Sequence, residues 1–254
     1  MKTSIDLNCD MSEGFGNYVA GDGVDEFIMP MVTSINVAAG FHAGDPTTIA
    51  RTVTQAAALG LGIGVHPGYR DLVGFGRRAL GASVEELVND CIYQLGAVRE
   101  FVSLAGRPLQ HFKPHGALYM HAARDADFAE ALVRILHRQD PQLPILVMAG
   151  SVIEEAATRA GHPVVREFYA DRHYGADGAI VFTRNVGVLE PEAVAAKVLQ
   201  ACTHGTVRTV DGQDIPIEFE SICIHSDTKG ALALVTETRR ALDGAGIAVA
   251  SFAA

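Results

Sequence analysis

The chain has 254 residues, 48% of them hydrophobic and 20% charged, enough for one large core or two small ones. Its formal net charge of -10, from 20 Lys+Arg against 30 Asp+Glu, argues against nucleic acid and anionic membrane as partners. Cys9, Cys91, Cys202 and Cys223 form no CxxC pair, and there is no secretory h-region or apolar run of about 20 residues; this predicts a cytoplasmic protein with reduced thiols.

Residues 5–9 read as a first strand. Alternation places Asp6, Asn8 and Asp10 on one side and Leu7 and Cys9 on the other. Three polar groups facing one way along a buried strand are costly unless they are used. Glu13, Gly14 and Gly16 follow in a loop, and an amphipathic piece over 24–32 leads to a second strand over 34–38. That strand runs into Gly40-Phe41-His42-Ala43-Gly44-Asp45-Pro46, where Asp45 suits a helix N-cap and Pro46 the first helical position. Ile49, Val53 and Ala57 give the helix an apolar face, and Gly60 closes it. A third strand over 61–65 ends in His66-Pro67-Gly68, ahead of a glycine-rich loop with Asp71, Arg77 and Arg78.

Ser83 and Glu86 form a capping box before a long helix whose buried face is Leu87, Cys91, Leu95, Val98 and Val102. Gly106 and Pro108 end it. Residues 110–114 read as a short fourth strand that stops at a proline. It delivers Lys113, with His115 just beyond, before Gly116 turns the backbone towards a new helix. Asp125 caps a helix carrying Phe128, Leu132 and Ile135, and 145–148 make a fifth strand, nearly all apolar. Ser151 and Glu154 suggest a second capping box. A sixth strand over 164–169 ends in Ala170-Asp171-Arg172 and gives way to a loop with Tyr174, Asp177 and Arg184. Pro191 starts a helix through Val194, Val198 and Ala201, and Asp211-Gly212 signals a hairpin. The seventh strand, 221–224, ends in His225-Ser226-Asp227. A last helix buries Leu232, Val235 and Leu242, and 247–249 form an eighth short strand.

Strand and helix alternate throughout with short links. That predicts a single α/β domain over 1–254, built as a (β/α) barrel, either seven-stranded or a distorted TIM-like form. In such barrels the strands' C-terminal ends share one mouth. Here they bring Asp6, Asn8 and Asp10, then His42, His66, Lys113 with His115, Asp171 with Arg172, and His225 with Asp227. Duller roles also fit: Asp45 and Asp227 as N-caps, His66 as a turn histidine, Asp171-Arg172 as a local ion pair. His121, His137, His162, His173 and His204 read as surface residues. Acids and imidazoles can move protons, Lys and Arg can stabilise an oxyanion or phosphoryl group, and imidazoles with a carboxylate can hold a divalent metal. No GxGxxG follows the first strand and no GxxxxGK[ST] occurs, so no dinucleotide fingerprint or Walker loop is visible.

Seven ordered motifs carry a resemblance: Asp6-Leu7-Asn8-Cys9-Asp10, the Gly40–Pro46 stretch, His66-Pro67-Gly68, Gly74-Phe75-Gly76-Arg77-Arg78, Lys113-Pro114-His115-Gly116-Ala117-Leu118-Tyr119, Ala170-Asp171-Arg172 and His225-Ser226-Asp227. Together they resemble the LamB/YcsF family, the A subunit of prokaryotic 5-oxoprolinase. The resemblance implies a barrel related to carbohydrate deacetylases. It also implies ATP-dependent opening of 5-oxoproline to glutamate with two further subunits, B and C, so that ATP is handled through the complex. On this reading Asp6, Asp10, Lys113, His115, Asp171 and His225 are candidates for catalysis. Asn8, Glu13, His42, Asp45, His66, Arg172 and Asp227 are candidates for binding substrate.

Three positions depart from the family pattern: Ser12 and Ser226 stand where glycine is usual, and Ala39 where cysteine is usual. A side chain at Ser226 would narrow the pocket. Two other readings stay open: a metal-dependent deacetylase or amidohydrolase using Asp10, His42 and His66, and a non-catalytic subunit that binds the lactam. Homo-oligomerisation also stays open.

Overall fold

The computed structural model describes residues 2–183 and 186–253; Arg184, read above into the loop after the sixth strand, lies outside them. Strand β1 (Ser4–Met11) pairs in parallel with β2 (Ser34–Ala38), and the ring continues through β3 (Gly62–His66), β4 (His111–Phe112), β5 (Ile145–Val147) and β6 (Val164–Tyr169). After β7 (Thr206–Arg208) and β8 (Asp214–Pro216), which make a separate antiparallel hairpin, β9 (Ser221–Cys223) returns to the ring between β6 and β1. The barrel closes at seven parallel strands. The last strand, β10 (Ala248–Val249), pairs with Ser4 and Ile5 at the start of β1, outside the ring: the Thr3 and Ile5 carbonyls accept from it on the edge that β2 takes over from Leu7 onward.

The flanking helices form where caps and apolar stripes coincide. Asp45 caps α2 (Pro46–Ala58, after the short α1, Asp25–Ile28), its carboxylate accepting from the Thr47 and Thr48 amides. The buried stripe of α2 is Ile49, Val53 and Ala56; Ala57 is only half-buried, since a strict spacing of four drifts off a 3.6-residue turn. The capping box of Ser83 and Glu86 starts α3 (Val84–Leu104), which buries the five residues expected of it. Helix α4 (Gly116–Ala122) follows Lys113-Pro114-His115 directly, and α5 (Ala126–Gln139) starts at the Asp125 cap. At α6 (Val152–Ala160) the second capping box does not form: the Glu154 carboxylate accepts from the Gly150 amide and pairs with Arg166 instead. Helices α7 (Pro191–His204) and α8 (Ala231–Gly244) pack against each other outside the ring.

Strand β4 has two residues rather than five, because Pro114 has no amide to donate. Its backbone still tracks β3: the Lys113 and His115 amides donate to the Val65 and Pro67 carbonyls at 3.0 and 2.8 Å. His162, expected at the surface, is buried against His137. Among the described residues no helix is long and apolar enough to cross a membrane.

Candidate active site at the barrel mouth

Because side chains alternate along β1, Asp10 and Asn8 both enter the barrel, one turn of the pleat apart. Lys113 meets them from β4. Its ammonium donates to Asp10 Oδ1 at 2.8 Å, lies 3.1 Å from Glu167 Oε1 and reaches Cys223 Sγ at 3.1 Å. Burial alone would drive this amine towards neutrality, but Asp10, Cys223 and Glu167 hold its pKa well above the ordinary value. For Asp10 burial pushes up, and His66, Lys113 and His225 outweigh it, so the carboxyl stays well below the usual range. A fully buried ammonium–carboxylate pair thus sits at the cavity floor.

On the opposite wall, Asp171 receives Nδ1 of His225 at 2.9 Å and the Thr228 hydroxyl at 2.7 Å, and pairs with Arg172 at 2.8 Å. Burial opposes ionisation of Asp171, but Arg172 and His225 lower its pKa beyond that effect. An ionised carboxylate only accepts, so His225 Nδ1 carries a proton and Nε2 is left towards Asp10, 3.5 Å from Oδ2. Arg77, Tyr119 and Tyr169 complete the cavity with Lys113, Arg172 and His225.

A second group adjoins the first. His42 and His115 stack at 3.7 Å between ring centroids, and His66 stands edge-on to both. Glu13 Oε1 lies 3.5 Å from His42 Nε2 and from His115 Nδ1. These four residues could hold a metal ion. The loop over them is built for close approach: a Cβ at Gly76, whose φ is +62°, would lie 2.7 Å from both His115 and His42. Phe75 beside it takes a φ of 54° and offers its carbonyl to His115 Nε2 at 2.8 Å. Asp10, grouped with His42 and His66 in the metal reading of the sequence, gives Oδ1 to Lys113 while its Oδ2 stays 3.2 Å from His66 Nε2, and Glu13 is the carboxylate that meets His42 and His115.

The other candidates fall elsewhere. Asn8 lies below the cavity, donating to Glu167 and Ser221. Asp6 is deeper still, at the opposite end of β1, where Thr33, Ser34 and Ser221 donate to it. Asp45 serves its N-cap, and Asp227 pairs with Arg77 at 2.7 Å. Glu167, Cys223, Asn36 and His111 escaped the sequence reading. Each has the same parity as a recognised neighbour: Glu167 with Asp171, Cys223 with His225, His111 with Lys113, and Asn36 with the end of β2. Extending the alternation back from each strand end would have found them.

The family model for LamB/YcsF matches residues 5–254. The chain belongs to the LamB/YcsF family. Among its relatives are the second 5-oxoprolinase A subunit of Pseudomonas syringae pv. tomato, 60% identical over 96% of this chain and 98% of that one, and the first 5-oxoprolinase A subunit of Pseudomonas putida, 59% identical over 97% and 98%. The crystal structure of a lactam utilization protein from Thermus thermophilus superposes with a TM-score of 0.89 at 39% identity, covering 98% of this chain and all of that one. A putative cellobiose-phosphate cleavage protein from Enterococcus faecalis V583, 13% identical over the whole of this chain and 98% of that one, shares the fold with a TM-score of 0.57.

Two of this LamB/YcsF chain's departures now have a structural setting. Ser12 takes a φ of 64°, a conformation that suits the family's glycine, and its amide donates to Asp25 at 3.0 Å. Ser226 is buried and does not line the cavity, so it does not narrow it as expected.

Proposed function

We propose that this chain is the A subunit of an ATP-dependent 5-oxoprolinase, a cytoplasmic hydrolase that opens 5-oxoproline to L-glutamate together with the B and C subunits. The supporting observation is a buried, charged Lys113 facing the Asp171-held His225 across one cavity, in a chain 60% identical to a protein named for that activity. The four cysteines are free and buried, in keeping with a reducing compartment.

A five-membered lactam is a poor electrophile, and transfer of a phosphoryl group from ATP to its oxygen activates the ring carbon. With no phosphate loop visible in this chain, we assign that transfer to the partners. His225 Nε2 then takes a proton from water as the oxygen bonds to the ring carbon, and returns it to the ring nitrogen as the C–N bond breaks. This leaves an amine and an acyl phosphate; a second water hydrolyses the latter to the carboxylate and inorganic phosphate. Lys113 stabilises the negative charge that builds on the reacting centre, Asp10 and Glu167 hold it in place, and Arg172 offers a cation to the substrate's carboxylate or phosphoryl group. Asp6 and Asn8 brace the strands beneath, and Asp45 belongs to its helix.

The test is reconstitution. Purified B and C with ATP and 5-oxoproline should form glutamate only when this chain is added, and the chain alone should form almost none. Full turnover by the chain alone, or by B and C without it, would overturn the assignment. A second reading, a metal-dependent amidohydrolase or deacetylase, is favoured by the Glu13–His42–His66–His115 group; it differs in requiring no ATP.

A further inference from the structure

The hydrogen bonds around this histidine group fix its tautomers. His66 Nδ1 lies 2.8 Å from the Lys113 carbonyl, and His115 Nε2 lies 2.8 Å from the Phe75 carbonyl. A carbonyl oxygen only accepts, so each of those nitrogens carries a proton. The other nitrogens, His66 Nε2 and His115 Nδ1, face each other at 3.0 Å. In neutral rings both are bare lone pairs, and Asp10 Oδ2 stands 3.2 Å from His66 Nε2 as a third acceptor, so the group repels itself unless something positive lies beside it. Glu13 adds to the imbalance: both its oxygens are buried without a hydrogen-bond partner, and so are both nitrogens of His42.

A second proton on an imidazole is one remedy. A metal ion that accepts both lone pairs at once is the other. Neutral imidazoles are what a metal requires.

The spacing also suits an ion. Donors bound at roughly 2.0–2.1 Å stand roughly 3.0–3.4 Å apart around one metal. The separations here are 3.0 Å between the two facing imidazoles and 3.5 Å from Glu13 to His42 and to His115. The carbonyls of Lys113 and Phe75 are the second layer of hydrogen bonds that orients ligating histidines. A neighbouring trio, Asp10, Cys223 and His225, also has convergent donors, but the Lys113 ammonium already lies 2.8 and 3.1 Å from two of them.

We propose that Glu13, His42, His66 and His115 bind one divalent transition-metal ion of the zinc class, through three imidazole nitrogens and one carboxylate oxygen. The donor set matches ions of intermediate softness better than magnesium or calcium. Bound there, such an ion supplies a Lewis acid next to the Lys113 cavity. The proposal rests on neither reading of the substrate.

The experiment is binding, independent of turnover. The full chain is stripped with dipicolinate, checked for native circular dichroism, and dialysed against zinc chloride, with bound metal counted by mass spectrometry. About one zinc ion per chain is expected, with cobalt chloride giving a visible d–d band in the same protein. Glu13→Gln and His42→Ala should each weaken zinc binding about tenfold or more, and His173→Ala should not. If a variant fails to fold, the wild type still decides: cobalt absorption must carry imidazole-nitrogen signatures in X-ray absorption spectra. No saturable zinc or cobalt binding by the stripped wild type would overturn the proposal. So would binding that persists at wild-type strength in a folded Glu13→Gln/His42→Ala protein.

Discussion

Asp6 separates position along a strand from position on a face. Burial pushes its carboxyl from 3.8 to about 6, against hydrogen bonds from Ser221, Thr33 and Ser34. Between those two values the folded chain binds more protons than the unfolded one, so this group makes stability fall as pH rises from about 4 to about 6. Asp6→Asn removes that dependence. Urea denaturation across the window should show the variant gaining on wild type by up to about 3 kcal/mol as pH rises, and a constant difference would contradict the burial account. The sequence made Asp6 look catalytic because alternation reports the face and not the depth. At about 3.3 Å per residue, Asp6 and Asp10 lie roughly 13 Å apart along β1. Glu13 is the converse case: its loop position gave no parity to read, and only the folded chain places it against three histidines.

At the scale of elements, cap motifs were legible in proportion to how local their partners are. Ser83 and Glu86 find only each other, and the box forms. Glu154 has a competitor that is distant in sequence, Arg166 on β6, and Ser151 is left with no cap bond. Ser83→Ala should therefore cost about 1 kcal/mol in thermal or urea unfolding, and Ser151→Ala less than about 0.5 kcal/mol. Equal losses would show that the second box forms in solution. The strands were legible because each ends in turn residues after an apolar run, as β2 and β6 do at their predicted limits. The choice between seven strands and a fuller TIM-like ring was not: nothing in 247–249 reveals that β2 holds that edge of β1 from Leu7 onward.

Across the whole molecule, closure of the barrel does two things at once. It buries the polar ladder of β1 against β2, β4 and β9, where Asn36 donates to Asn8 and Asp10 and Lys113 bridges from the far side. It also turns every strand end to one mouth, so that residues over a hundred positions apart, Lys113 and His225, line one cavity. Buried charges of this kind are expensive, and a pairing that is complete in the free chain leaves Lys113 ready for a charge that appears only during reaction.

The most direct measurement is turnover of 5-oxoproline by the reconstituted complex carrying Lys113→Met in this chain. Methionine keeps most of the stem and deletes the charge. With native circular dichroism and unchanged assembly with B and C, kcat should fall on the order of a hundredfold or more, with little change in KM. A change of less than about threefold, worth under about 0.7 kcal/mol of barrier, would mean that the buried ammonium holds the fold and takes no part in opening the ring.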